Sequence, residues 1–159
     1  MPGRFTIKRA GPEAADDIRA LTRKAYAPWV DVVGREPLPM TADYNQAVRE
    51  HLIDLALDGA RLSGLIEMVP QPESLLIENL AVAPEDQGQG LGTLLLQHAE
   101  KCAESLGLPL LRLYTNQAFE SNVSFYKGFG FAVERTEPFM GGWTVYMCKS
   151  IGEEPPCPR

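Results

Sequence analysis

Residues 75–84 read LLIENLAVAP, a strand-length run whose aliphatic side chains fall on both faces. A strand apolar on both faces is a central strand, because another layer has to cover each side. The residues that follow change period. Leu91, Leu95, Ala99, Cys102 and Leu106 recur at helical spacing on one face, and Gly107 stands where a helix C-cap belongs. This passage from buried strand to amphipathic helix is the constraint around which the other segments have to be arranged.

Upstream, RFTIKRA alternates Phe5 and Ile7 with polar neighbours and reads as a short strand. GPEAADDIRALTRKAY reads as a helix, with Pro12 near its start, acids in its first turn and an apolar stripe of Ile18, Leu21 and Ala25. PWVDVVGREPLPMTADY interrupts that regularity with Pro28, Gly34, Pro37 and Pro39. It is expected to be a loop holding a short helix, with Thr41 capping a further helix that carries Tyr44 and Val48. HLIDLALDGARLSGLIEMV places two apolar runs around Asp58-Gly59, a favoured hairpin turn. Downstream, PLLRLYTN is a strand, and FESNVSFYKGFGF holds a short helix stopped by Gly128 and Gly130. AVERTEPFMGGWTVYMCKS makes two strands around Gly141-Gly142. The order β-α-α-β-β-β-α-β-α-β-β predicts an α/β fold: a mixed, mostly antiparallel sheet with helices on both faces.

The chain has 159 residues, which suits one domain, here residues 4–150, followed by a flexible proline-rich tail at 151–159. A hydrophobic content of 45% with 23% charged residues argues against disorder. The formal net charge of −6 disfavours a nucleic-acid partner, which asks for a basic face. Cys102, Cys148 and Cys157 form no C-x-x-C pair and only His51 and His98 accompany them, so no metal site is expected. An odd cysteine count without a framework favours a reducing compartment. MPGRFTIKRA carries no apolar run of signal-peptide type, and no segment has the length of a membrane span. The expectation is a cytoplasmic protein with no membrane partner.

Between the central strand and its helix lies DQGQGLGTLL, residues 86–95. Gly88 and Gly90 begin a G-x-G-x-x-G dinucleotide pattern, but Thr93 stands where its third glycine belongs. No Gly-Lys-Ser/Thr closes the loop either, so the nucleoside-triphosphate pattern also fails. What remains is Gln87-x-x-Gly90-x-Gly92 ahead of a helix. Glycines admit a ligand close to the backbone, and a helix start offers free N–H groups and a favourable dipole. A pyrophosphate seat fits that chemistry, with Gln87 adding a side-chain amide. A turn shaped by sterics alone fits the same letters.

LLIENLAVAPEDQGQGLGTLLLQHAE resembles the strand, loop and helix of the GNAT superfamily of N-acetyltransferases, whose loop reads Gln/Arg-x-x-Gly-x-Gly/Ala. NQAFESNVSFYKGFGF is similar to that family's second acetyl-CoA segment, where a short helix carries Asn and Tyr before a Gly-Phe pair. The two segments occur in the family's order and separation, and the resemblance covers roughly residues 62–149. It implies a sheet splayed at a cofactor cleft and acetyl-CoA (coenzyme A) as co-substrate. It also implies that Gln87, Gly88, Gln89, Gly90, Leu91, Gly92 and Thr93 cradle the pyrophosphate, and that Leu80, Ala81 and Val82 line the pantetheine arm. Asn116 and Asn122 match positions that contact the cofactor; a strand-end turn and a helix cap are their structural alternatives.

The reaction the resemblance implies is direct attack of an amine on the thioester. It needs a base for the ammonium proton, donors for the oxyanion, and an acid for the departing sulfur. The backbone near Val82 is the implied oxyanion donor. Tyr126 matches the family tyrosine and is the candidate acid; Glu78, a lone carboxylate in an aliphatic strand, is the candidate base. An isolated carboxylate among aliphatics is expected to hold a proton more tightly than a free one, which suits a base. The acceptor is a small-molecule or peptide amine. Trp29, Tyr44, Phe139 and Trp143 are candidates to wall its site, with Asp31, Glu36 or Asp43 attracting a cation. The closing hairpin pairs between subunits in many members, which makes a homodimer an expectation. A silent acyl-CoA-binding module and a transferase of longer acyl groups are the competing readings.

Overall fold

The computed structural model describes residues 4–152, so all but the first two residues of the expected proline-rich tail lie outside the described residues. Seven strands are formed: β1 (Thr6–Arg9), β2 (Leu52–Asp58), β3 (Arg61–Pro70), β4 (Ser74–Val82), β5 (Leu110–Asn116), β6 (Ala132–Phe139) and β7 (Gly142–Ser150). They make one mixed sheet in the order β1-β2-β3-β4-β5-β7-β6. The helices among the described residues are α1 (Ala15–Tyr26), α2 (Val30–Val33), α3 (Tyr44–Glu50), α4 (Leu91–Ser105) and α5 (Glu120–Phe129). The element order is the one read from the sequence, with α2 as the short helix inside the proline-rich loop. The parallel pairing of β4 with β5 runs from Ser74↔Leu110 to Ile77↔Leu113. Strands β1–β2, β2–β3, β5–β7 and β6–β7 pair antiparallel.

The chain divides into two compact units, one of residues up to Val69 with Asn79–Leu96, the other of Pro70–Glu78 with Gln97 onward. In the first, Asp16 and Asp17 open α1 and Arg23 and Lys24 close it, complementing the helix dipole. Its buried Ile18 and Leu21 pack with Tyr44, Ala47 and Val48 of α3 and with Leu55 and Leu65 of the sheet. Helix α3 is capped by Asp43, whose carboxylate accepts the Gln46 N–H at 3.2 Å. This corrects the expectation for Thr41, which instead donates from Oγ1 to the Leu38 carbonyl and closes the preceding turn. The β2–β3 turn also falls one residue later than expected. Its central residues are Gly59 and Ala60, with φ of +62° at Gly59, so the glycine supplies the left-handed position.

In the second unit, both helices end on a left-handed glycine that lets the chain fold back over its last turn. Gly107 N–H reaches the Glu104 carbonyl and Leu108 N–H the Ala103 carbonyl; Gly130 and Phe131 repeat the pattern on Lys127 and Tyr126. Gly130 therefore stops α5, while Gly128, read as a second stop, lies inside the helix. Leu106 is 49% exposed, not part of the apolar face, because the helix has ended at Ser105. Cys102 is free, whereas Cys148 on β7 is disulfide-bonded, where the sequence reading found no disulfide framework. No helix among the described residues is long and apolar enough to cross a membrane.

The β6–β7 turn is made by Met140 and Gly141, one residue earlier than read from the sequence, with φ of +48° and +83°. Both central positions are left-handed, and Met140 is the described non-glycine residue that pays the steric penalty. Asparagine tolerates that conformation better. Met140→Asn is expected to raise stability by about 0.5–1 kcal/mol, read from urea unfolding midpoints.

Candidate functional site

The glycine loop joins a short turn at Pro84–Asp86 to the start of α4. Gly88 and Gly90 adopt φ of +79° and +82°, and a Cβ at either would meet open space. The left-handed backbone, not crowding, is why these positions are glycine. The Gly90 carbonyl accepts the Leu94 N–H at 3.0 Å, which makes Gly90 the first half-turn of α4. The N–H groups of Leu91, Gly92 and Thr93 then belong to the first helical turn, which has no intrahelical acceptor for them. Leu91 is buried and anchors the helix start, while Gly88, Gln89 and Gly90 are exposed. At Gly64 on β3 a Cβ would lie 3.0 Å from Leu91 Cδ2 and 3.1 Å from the Ala81 carbonyl, so this glycine lets α4 approach the sheet.

What holds the loop is a carboxylate that sequence reading passed over. Asp86 is 1% exposed, and its two oxygens are gripped by Arg61, Nη1 to Oδ2 at 2.7 Å and Nη2 to Oδ1 at 2.9 Å. Arg4 adds a contact at 3.3 Å. The Arg61 fork holds the Asp86 carboxyl below its usual range, and the carboxylates of Asp86, Asp58 and Glu85 raise Arg61 in turn. Gln89 accepts from Arg4 Nη1 and donates weakly to the Glu85 carbonyl. Gln87 turns its amide back to the strand, donating to the Val82 carbonyl at 3.3 Å. A sequence signal did exist for Asp86: an acid directly before the loop, with Arg61 in the hairpin.

Strand β4 shows the alternation of a central strand, with Leu75, Ile77, Asn79 and Ala81 buried and Leu76, Glu78, Leu80 and Val82 half-buried. Ala81 therefore offers a ligand its backbone alone, and Leu80 and Val82 offer side chains as well. Asn79, also missed from the sequence, is 3% exposed and fully engaged. Its Nδ2 donates to Thr22 Oγ1 and to the Tyr44 hydroxyl, both at 3.2 Å, and its Oδ1 accepts from the Tyr26 hydroxyl at 3.1 Å. Tyr44 passes its own proton to the Pro39 carbonyl at 2.6 Å. One amide thus ties α1, α3 and the proline-rich loop to β4. Polar groups buried this way fix relative position, since each loses its partners if the helices slide.

Several candidates for an acceptor wall are accounted for structurally. Tyr44 is buried in the core, Asp43 caps α3, and Glu36 is ion-paired to Arg23 at 2.5 Å. Asp31 is exposed and Trp29 half-buried, and on the closing hairpin Phe139 and Trp143 are exposed.

Tyr126 lies in α5, packed edge-on against Phe131 and beside Phe125. Burial pushes its phenol well above the ordinary tyrosine value, so it keeps its proton throughout the physiological range. Among the described residues nothing hydrogen-bonds its hydroxyl, which leaves that proton available. Asn116 ends β5 and its Oδ1 accepts the Ala118 N–H at 2.8 Å, the strand-end turn given as its alternative. Asn122 is the third residue of α5 and not its cap. Glu78 is not isolated: the Tyr114 hydroxyl donates to its Oε1 at 2.7 Å.

Residues 16–131 match the model of the Acetyltransferase (GNAT) family. The chain is 31% identical, over 165 aligned positions covering 98% of it, to the mycothiol acetyltransferase of Jonesia denitrificans. It spans about half (51%) of the length of that curated relative. Among solved structures, the PaiA N-acetyltransferase of Thermoplasma acidophilum in complex with coenzyme A superposes with a TM-score of 0.79 at 21% identity. That superposition covers 92% of this chain and 98% of the other. A GNAT family acetyltransferase from Elizabethkingia anophelis with acetyl-CoA bound gives 0.67 at 18%, covering 94% and 99%.

Asp86→Asn is expected to lower the melting temperature by about 3–6 °C at pH 7, because the Arg61 fork loses its charged partner. The native carboxyl titrates below its unfolded value, so its stabilisation is complete above about pH 4 and fades as pH falls further. Thermal scans of both proteins from pH 7 to pH 3 should therefore show a constant gap that narrows below about pH 4.

Proposed function

Because this chain belongs to the acetyltransferase (GNAT) family, we propose that it moves an acetyl group from acetyl-CoA to a primary amine by direct attack on the thioester. The observation that carries the reading is the loop at Gly88–Gly90, left-handed twice, open to a ligand and leading into the first turn of α4. Exposed backbone and unpaired N–H groups at a helix start suit the pyrophosphate of coenzyme A, which residues 87–93 would hold. Leu80, Ala81 and Val82 would run beside the pantetheine arm in the manner of an added strand. Asn122, and Asn116 through its backbone, complete the proposed cofactor set.

In the reaction, the amine nitrogen bonds to the thioester carbon after Glu78 has taken the ammonium proton. The carbonyl becomes an oxyanion met by backbone N–H near Val82, and collapse breaks the carbon–sulfur bond. Tyr126, whose proton is retained by burial and, among the described residues, committed to no other group, would protonate the sulfur. The second proton of the attacking nitrogen would return to the Tyr126 phenolate as the amide forms. The names of the relatives supply acceptors to try, mycothiol-type among them.

A coenzyme A release assay across polyamines, aminoglycosides, amino acids, mycothiol-type amines and N-terminal peptides tests the whole reading. Saturable release with one amine is expected. Thermal protection by acetyl-CoA without turnover on any amine would instead leave a silent binding module, and faster release from longer acyl-CoAs would change the donor. For the acid, Tyr126→Phe should lower kcat by about 10- to 100-fold with coenzyme A affinity unchanged. Undiminished turnover at every pH would remove Tyr126 from the mechanism.

A further inference from the structure

The described pairing of β4 with β5 ends at Ile77↔Leu113, and the next residues along the two strands are Glu78 and Tyr114. At that point the Tyr114 hydroxyl donates to Glu78 Oε1 at 2.7 Å, the carboxylate's one hydrogen bond among the described residues. We propose that Tyr114 is a positioning residue for the base: it fixes one oxygen of Glu78 and leaves the other free for the amine proton. The proposal rests on the reading of Glu78 as the base.

The Tyr114 ring is supported from the neighbouring strands. Its ring lies 5.8 Å from that of Tyr146, its partner across β7. The far ring is covered by the Arg135 guanidinium at 3.9 Å, and Arg135 is held by Glu137 at 2.6 Å. A row of side chains from β4 through β5 and β7 to β6 therefore ends in an ion pair. The other charges beside it, Arg112 on β5 and Glu134 on β6, are paired to each other at 3.1 Å. Two arginines and two acids on these strands offset one another, which leaves the neutral phenol as the group acting directly on Glu78.

A neutral donor bonded to a carboxylate stabilises the ionised form, the form in which a base works. Tyr114 is 37% exposed, so water competes and the effect is moderate. Phenylalanine at this position keeps the ring contact and deletes only the hydroxyl, which separates positioning from packing.

The test uses the full chain and two readouts. The first is the NMR chemical shift of the 13C-labelled Glu78 carboxyl at neutral pH, which reports its hydrogen bond and needs no acceptor. The second is the pH profile of coenzyme A release from acetyl-CoA with the fastest amine of the panel above. Tyr114→Phe is expected to move the Glu78 carboxyl resonance and to weaken the acidic limb of kcat/KM. Activity on the acid side should fall about three- to tenfold. In a Glu78→Gln background the same substitution should add nothing. An unmoved carboxyl resonance, or an equal loss at every pH that persists in the Glu78→Gln background, overturns the proposal alone. Glu78→Gln with unchanged rate and pH profile overturns the reading of the base, and the proposal with it.

Discussion

The grip of Arg61 on the buried Asp86 carboxylate is the interaction on which the backbone of the glycine loop depends. A loop built around two left-handed glycines has few side chains with which to pack, and open space lies beside both of them. Such a segment has no core of its own, so its position must be set from its ends. At one end Leu91 is buried under the first turn of α4; at the other Asp86 is fixed to the β3 end of the hairpin by two parallel charge-assisted hydrogen bonds. With both ends held, the backbone between them keeps its position although few of its side chains pack.

The second organising feature is strand alternation at Glu78 and Asn79. Successive side chains of a strand point to opposite faces, so two adjacent polar residues meet different surroundings. Asn79 is buried and holds α1 and α3 through three hydrogen bonds, while Glu78 is half-buried and, among the described residues, bonded to one phenol. One residue serves architecture and its neighbour stays chemically available, a division that follows from the pleat.

Local chemistry that depends on neighbours in the chain was legible. The sequence of elements along the chain, the glycine pattern at 88–92, the helix stops at Gly107 and Gly130 and both hairpins follow from period and turn preference. Errors cluster where two residues of similar propensity compete. Thr41 and Asp43 both suit a cap, and the backbone placed Asp43 three residues before a free N–H. Gly128 and Gly130 both suit a stop, and only the latter takes the left-handed conformation. Each hairpin turn shifted by one residue because the register across the strands, not the turn dipeptide alone, selects the central positions.

By itself the sequence determined the family and the place of the glycine loop ahead of α4, because these rest on spacings within short segments. It could not decide which polar residues are partners. Asp86 with Arg61, Asn79 with Tyr26 and Tyr44, and Glu78 with Tyr114 lie 25 to 53 residues apart in the chain. Only the tertiary structure brings them within hydrogen-bond reach, since such bonds depend on distance and angle and leave no period in the sequence.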